Sequence, residues 1–445
     1  MKKAPSYLKR AMLTIVVIIA VYLLFSTCIW WALRNKTVAL SWRQSALFLG
    51  VKVAAGSLYG YIYGRFYGGD DTWGLNHDAW VQYQYLLHEP GRFVGSLFTL
   101  HPIRDPALYF GDCKTVLEYW EYAFVTRIMA PFNCISQGNY YINVVFFCFI
   151  SFWGAYLLTR MFANEGELTP ISTRVPGPQK SAHPYSRKLA VPSGVTIAVY
   201  LFLPAVFWLS GIRAEGLILL FTGLLLFYFR RWISRPRTGN TMLCLAAFAL
   251  LFILRSGFAL TLAPALLAWW LSNRFRIRPV KAFAGVYMLL ALLVAVSSFL
   301  PPAYNLLRPV VSRQQAFAAL HGNTRFNLTP LQDNIGSFAA VAPEALVNTL
   351  LRPWPWEAKG ALQWLVTLEN VMVWTLIAVV AIRYRRSVKE VFRHPLAWAL
   401  LCIALSNYLF IGYIVPFPGA IVRYRVMPEL FLLCLLGISL KKESD

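Results

Sequence analysis

Apolar residues in this chain run in blocks of roughly 20, the length a helix needs to cross a bilayer, separated by short polar links. The blocks predict spans over 11–33, 139–160, 193–211, 213–231, 241–256, 258–272, 282–300, 361–382, 395–415 and 421–440. A further apolar block at 44–64 carries Lys52 and four glycines (Gly50, Gly56, Gly60, Gly64). It reads either as another span, with 117–135 crossing back and 65–116 then cytoplasmic, or as a re-entrant or interfacial helix with 65–138 outside. The pattern therefore predicts an all-α polytopic membrane protein, a single integral membrane domain over 1–445 with about 10–12 transmembrane helices. Two long polar stretches, 65–138 and 302–360, interrupt the blocks. Their aromatic, Pro-punctuated segments Trp80–Leu87, Leu117–Met129 and Pro353–Trp364 are expected to lie along the membrane interface.

Composition sharpens this picture by exclusion. With 58% hydrophobic residues, 14% charged residues and a mean hydropathy of +0.53, a soluble enzyme and a disordered chain are excluded. The seven cysteines are scattered without CxxC spacing, which fits neither a zinc site nor a disulfide framework. The net charge of +23 would suit nucleic acid in a soluble protein, but here the cations sit in the links between spans. The clusters are Arg230, Arg231, Arg235 and Arg237; Arg274, Arg276, Arg278 and Lys281; and Arg383, Arg385, Arg386, Lys389 and Arg393. Such links stay cytoplasmic, so no nucleic-acid partner is expected, and membrane lipids are the natural surroundings. Alternating the ten spans from a cytoplasmic N-terminus puts these clusters, the loop 161–192 and the C-terminal Lys441-Lys442 inside. The basic segment Met1–Arg10 before the first block reads as the flank of a retained span. Residues 65–138 hold eight acids against five bases and are expected outside, where Cys113 would report their sidedness to a thiol reagent.

Candidate chemistry gathers at span ends. In Tyr67-Gly68-Gly69-Asp70-Asp71-Thr72-Trp73, followed by Asn76-His77-Asp78, paired glycines permit a sharp turn at a membrane boundary. Carboxylates held there act as general bases, bind a divalent cation at Asp70/Asp71, or simply cap the next helix. No metal-ligand spacing is present, and His101 and His321 stand alone as acid/base candidates. Arg213 and Glu215 in Ser210–Gly216, Arg255, and Arg423 and Arg425 occupy span ends opposite the basic links. A guanidinium fork matches phosphate oxygens; snorkelling or a structural Arg213–Glu215 pair is the alternative. Arg352-Pro353-Trp354-Pro355-Trp356-Glu357 offers flat aromatic faces for a sugar, a lipid or interfacial anchoring. There is no Walker loop, dinucleotide fingerprint or GxSxG to dock a soluble nucleotide donor.

Together, Gly69-Asp70-Asp71 in the first external loop, the interfacial segments after it and arginines near the outer surface resemble the C-type (GT-C) membrane glycosyltransferases. The segments Tyr67–Trp73, Ser210–Gly216, Arg352–Glu357 and Val422–Arg425 are similar to those of a bacterial GT-C-like group. The resemblance implies an inner-membrane enzyme of the cell envelope, a hexosyl- or pentosyltransferase. It would take a polyprenyl-phosphate-linked sugar as donor and transfer it to a glycolipid, glycan or protein on the external face. By the same resemblance Asp71 is the general base, with Asp70 or Asp78 as a supporting charge and His77 beside them. Arg213, Arg255, Arg423 and Arg425 would hold the phosphate, Trp354 and Trp356 would stack on sugar or isoprenoid, and His77, Glu215 and Arg352 complete the expected substrate-binding set. The alternatives are a polymerase or ligase of lipid-linked glycans relying on 302–360, and a lipid or solute transporter.

Overall fold

The computed structural model describes residues 6–99, 104–113, 115–163, 191–320, 325–358 and 360–441. Most of the loop 161–192, together with His101, His321 and Lys442, lies outside those residues. Among the described residues the regular structure is helical, with a single isolated bridge between Arg104 and Asp112. Seven helices are long and apolar enough to cross a membrane, as an integral membrane protein requires. The chain divides into two compact units, Met1–Pro192 with Val199–Ser256, and Ser193–Ala198 with Gly257–Asp445.

The first unit opens with α1 (Ser6–Leu33) and α2 (Trp42–Phe66). Ser41 and Gln44 form a reciprocal capping box that starts α2. The two helices are antiparallel: Trp42 Nε1 donates to Thr27 Oγ1 (3.3 Å) and Tyr22 OH to the Ala46 carbonyl (2.8 Å). Next come α3 (Asp71–His88), α4 (Pro90–Ser96), α5 (Val116–Met129), α6 (Asn133–Ser136) and α7 (Tyr140–Met161). The chain then runs through α8 (Ser193–Tyr200), α9 (Leu203–Trp208), α10 (Ala214–Ser234) and α11 (Thr238–Leu254).

Glycines set the spacing here. A Cβ at Gly56 would fall 2.9 Å from Val144, and one at Gly60 2.0 Å from the Tyr140 ring, so α2 runs antiparallel and close to α7. Gly216 against Phe147 and Gly223 against the Gly154 backbone hold α10 parallel to α7. Arg230 donates to the Met161 carbonyl, and Tyr156 OH to that of Val38. One end of the unit thus holds Val38, Met161 and Arg230, while the other holds Tyr140, Arg213 and Asp70. The 21 residues of α10 separate these ends by about 30 Å, the thickness of a hydrocarbon core.

Two sequence expectations change. The block 44–64 is one uninterrupted helix of 25 residues, long enough to span. Because α1 and α2 form an antiparallel hairpin, the start of α1 and the acidic segment after α2 lie toward the same end. A cytoplasmic N-terminus with 65–138 outside does not fit that hairpin. The expected span 193–211 is instead two short helices broken at Leu201–Phe202. Pro204, in the first turn of α9, lacks an N–H and bars a continuous helix through this point.

The second unit contains α12 (Ser256–Arg274), α13 (Pro279–Ser297), α14 (Arg308–Ala318), α15 (Ile335–Leu351) and α16 (Ala361–Arg383). It ends with α17 (Arg385–Val391), α18 (Pro395–Ile414) and α19 (Pro418–Lys441). The stretch 302–360, read as a polar loop, contains the apolar α15, whose buried Phe338, Val341 and Ala345 join Ile411, Val415 and Ile421 in a core. The expected interfacial helix Pro353–Trp364 is a single 3-10 turn, Pro355–Glu357, ahead of α16. α16 runs parallel to α19, with Asn370 of α16 bonded to Arg425 and, further along, Ser387 of the following α17 bonded to the Ser439 carbonyl.

At the α15–α18 crossing a Cβ on Gly412 would stand 1.9 Å from the Ala345 carbonyl oxygen. Rigid backbone cannot yield as a side chain does. Gly412→Ala is expected to destabilise the protein by about 3 kcal/mol and to lower its melting temperature in detergent. Gly285→Ala, where a Cβ meets nothing within 4 Å, serves as the neutral comparison. Equal melting of the two variants would refute this account of the crossing.

Candidate functional site

The site begins where α2 stops. Gly68 and Gly69 adopt φ of +69° and +101°, the left-handed region that favours glycine, and they turn the chain from α2 into α3. Asp70 follows in extended conformation as the N-cap and Asp71 opens the helix. The N-cap position falls to Asp70 and not to Asp71 or Thr72, the expected capping residues, and Asp70 makes no side-chain cap hydrogen bond. Its Oδ2 accepts a hydrogen bond from Tyr59 OH (2.8 Å) and lies 3.2 Å from Arg213 Nη2. The same Nη2 donates to Asp71 Oδ2 at 3.0 Å, and Arg213 Nη1 donates to Tyr59 OH.

Each of these positions has a local cause. Arg213 is the extended N-cap of α10, a helix end that repels a cation, so two carboxylates compensate it. Those carboxylates stand at the N-terminus of α3, where the helix dipole favours them. Burial differs sharply across the pair: the Arg213 side chain is 3% exposed and that of Asp71 39%. A sunken guanidinium therefore steadies a carboxylate that reaches the surface. Below, Trp73 donates to the Gly60 carbonyl (3.0 Å) and stacks on Tyr140, whose hydroxyl meets Thr72 at 2.8 Å.

Glu215 reaches Arg255; buried in the first turn of α10, it meets Nη2 of that residue at 3.0 Å. Arg255 caps the C-terminus of α11, the negative end of that helix. Two crossed ion pairs, Asp70/Asp71–Arg213 and Glu215–Arg255, thus occupy the end of the unit opposite Arg230.

Asp78 plays a different part. It lies two turns along α3 and is buried, with Oδ1 and Oδ2 accepting from the backbone of Tyr109 (2.5 Å) and Phe110 (3.0 Å). Burial pushes its carboxyl above the usual range, against the pull of those two N–H groups. It ties the 104–113 loop to α3, assisted by Asp105, which accepts from Arg92 and Tyr85. His77 is exposed, with Nε2 3.3 Å from the Ala107 carbonyl.

The remaining sequence candidates belong to the second unit. Arg425 is buried; Nη1 donates to the carbonyls of Thr349 and Arg352 (3.2 Å each) and Nη2 to Asn370, while Nε stands 3.8 Å from Glu429. Asn370 and Trp374 donate to Arg352, Leu351 and Leu350, so the exposed carbonyl end of α15 is closed by side chains. Arg425 thereby acts as a structural cap. Arg352 lies 3.3 Å from Glu357 and over the Phe326 ring, and Arg423 over that of Tyr424. Trp354 and Trp356 stack on each other at 5.1 Å, and Trp356 is largely exposed.

The sequence pattern does not single out several buried polar residues as candidates: it marks Lys52 only as a charge inside an apolar block and Asn76 only within the acidic motif. Lys52, midway along α2, reaches the Leu209 carbonyl at 3.5 Å. Asn76, Asn133 and Asn143 form a buried amide network, and Arg127 is buried against Tyr119 and Trp120. Glu369 and Glu429 are both buried in the second unit, on helices read only as spans. An ionisable residue inside an apolar block was the available signal.

Among the described residues no group of three or more His, Cys, Asp or Glu side chains gathers as a metal site would need. At Asp70/Asp71 the positive charge comes from Arg213. Comparison of the chain with protein-family models, curated proteins and solved structures finds no match.

Proposed function

We propose that this protein is a membrane glycosyltransferase of the GT-C kind, moving a sugar from a polyprenyl-phosphate donor to an acceptor hydroxyl outside the cell. The observation that carries the reading is the half-exposed Asp71 held at 3.0 Å by the sunken Arg213 beyond the end of α2. We take the Arg230–Arg237 end of the first unit as cytoplasmic on charge bias, which turns Asp71 and the start of α1 outward; the basic segment Met1–Arg10 then runs against that bias.

In this reading the acceptor oxygen attacks the anomeric carbon while Asp71 takes the hydroxyl proton. The bond from that carbon to the phosphate oxygen breaks, and the phosphate leaves with the electron pair. Arg213 and Arg255, at the same end of the unit, meet the growing negative charge. Asp70 and Tyr59 hold Arg213 in place, and Asp78 shapes the loop above. The decisive assay reconstitutes purified protein with a radiolabelled polyprenyl-phosphate sugar. Release of polyprenyl phosphate that is lost in Asp71→Asn supports the reading; release undiminished in that variant overturns it.

Sidedness has its own test, and the reporter is Cys134 rather than Cys113. Burial hides Cys113 and pushes its thiol up to about 11, whereas Cys134 is exposed. A membrane-impermeant maleimide is expected to label Cys134 in intact spheroplasts. Labelling only after lysis would place the site in the cytoplasm.

A second reading, a proton- or ion-coupled carrier, is favoured by Lys52 in α2 and by the buried Glu369, Arg425 and Glu429 of α16 and α19. Uptake of a lipid or solute by proteoliposomes without sugar release would select it.

A further inference from the structure

Helix α16 presents an apolar stripe that nothing in its own unit covers. Leu365, Leu368, Met372, Leu376, Val379 and Ile382 recur at intervals of three and four, one helical face, and are between 37% and 80% exposed. The stripe ends at an open surface depression lined by the exposed side chains of Ile382, Arg383, Arg385, Arg386 and Lys389.

Charge sets this depression apart. Its lining contains four cations and no acid, and among the described residues none of the four is paired with a carboxylate. Gathering them around one concavity has an electrostatic cost that a multivalent anion relieves. A cluster serving only to orient the chain in the membrane needs no shared concavity. Guanidinium forks match the paired oxygens of phosphate and of carboxylate, and phosphate is the anion that a bilayer surface supplies. The continuity of Ile382 between the stripe and the depression selects an anion with an apolar tail.

We infer that this depression binds the head group of a phospholipid carrying at least two negative charges on phosphate, its acyl chains lying along the exposed face of α16. The ligand is a resident lipid of the leaflet at the α17 end of the second unit. This site is independent of the Asp71–Arg213 centre and of any sugar transfer there.

The test is native mass spectrometry of the detergent-purified full chain titrated with phosphatidic acid, phosphatidylcholine or inorganic phosphate. The triple variant Arg385→Gln, Arg386→Gln, Lys389→Gln changes exposed residues only. It is expected to weaken phosphatidic acid binding on the order of 100-fold while keeping the melting temperature. The comparison variant Arg274→Gln, Arg276→Gln, Arg278→Gln, in another basic link, is expected to bind as the parent does. Equal weakening in both variants would reduce the effect to diffuse surface charge and overturn the site. Phosphatidylcholine binding as tightly, or inorganic phosphate displacing the lipid at equal concentration, would overturn the lipid assignment.

Discussion

On the proposed transferase reading, Asp71→Asn is expected to lower the rate of sugar transfer by about 10³-fold, the middle of the range for loss of a general base, with little change in melting temperature. The asparagine side chain keeps the size of the carboxylate and an oxygen for Arg213 Nη2, now 3.0 Å away. What it loses is the capacity to accept the acceptor's proton. Asp70 remains to balance Arg213, so no buried cation is stranded. Asp70→Asn, by contrast, disturbs the Tyr59–Arg213 relay, and its effect on the rate should be smaller, because Asp70 positions and does not take the proton. Rates and melting temperatures of the two variants, measured side by side, separate the roles. Equal rate losses would mean that the carboxylates act only as a charged pair.

Arg213→Met is expected to cost the first unit substantial stability. Breaking a buried ion pair from one side typically costs 3–5 kcal/mol, because the partner charge is left uncompensated. Here the partners are the 22%- and 39%-exposed side chains of Asp70 and Asp71, so water screens them in part and about 3 kcal/mol is expected. Adding Asp70→Asn and Asp71→Asn to Arg213→Met should recover part of the loss, since the stranded negative charges disappear. Arg213→Lys should fall between, keeping charge without the fork that spans Tyr59 and the two acids. Thermal unfolding in detergent reads all three. Arg213→Met melting with the parent protein would remove the electrostatic account of this site.

Much of the helix inventory was readable from local pattern. The blocks 11–33, 139–160, 213–231, 282–300, 361–382 and 395–415 each became a helix with ends within a few residues. The block 44–64 was ambiguous because Lys52 and four glycines lower its hydropathy. Those same residues are what its packing requires: Gly56 and Gly60 let α7 approach, and Lys52 finds a carbonyl. α15 went unseen because the flanks of 302–360 are polar, although its own 17 residues are apolar.

At the candidate site the motif was legible but its partners were not. Asp70-Asp71 and Arg213 stood out separately, since charge beside apolar runs is visible in one dimension. That Arg213 answers Asp71, 142 positions away, while Glu215 answers Arg255, follows from how α2, α7, α10 and α11 meet. Arg425 looked like a phosphate ligand for the same reason that Arg213 did, and only its place beneath the end of α15 shows it to be a cap.

The amino-acid order by itself determined a helical membrane protein, its basic links, and a Gly-Gly turn that carries two carboxylates at a helix start. These follow from hydropathy, charge and backbone freedom, which act between near neighbours. Tertiary structure decided which arginine faces which acid, which carboxylate is tied to backbone and which reaches the surface, and that four cations share one depression. Burial and ion pairing depend on distance in space, and the close glycine-lined helix crossings bring together groups that the chain keeps far apart.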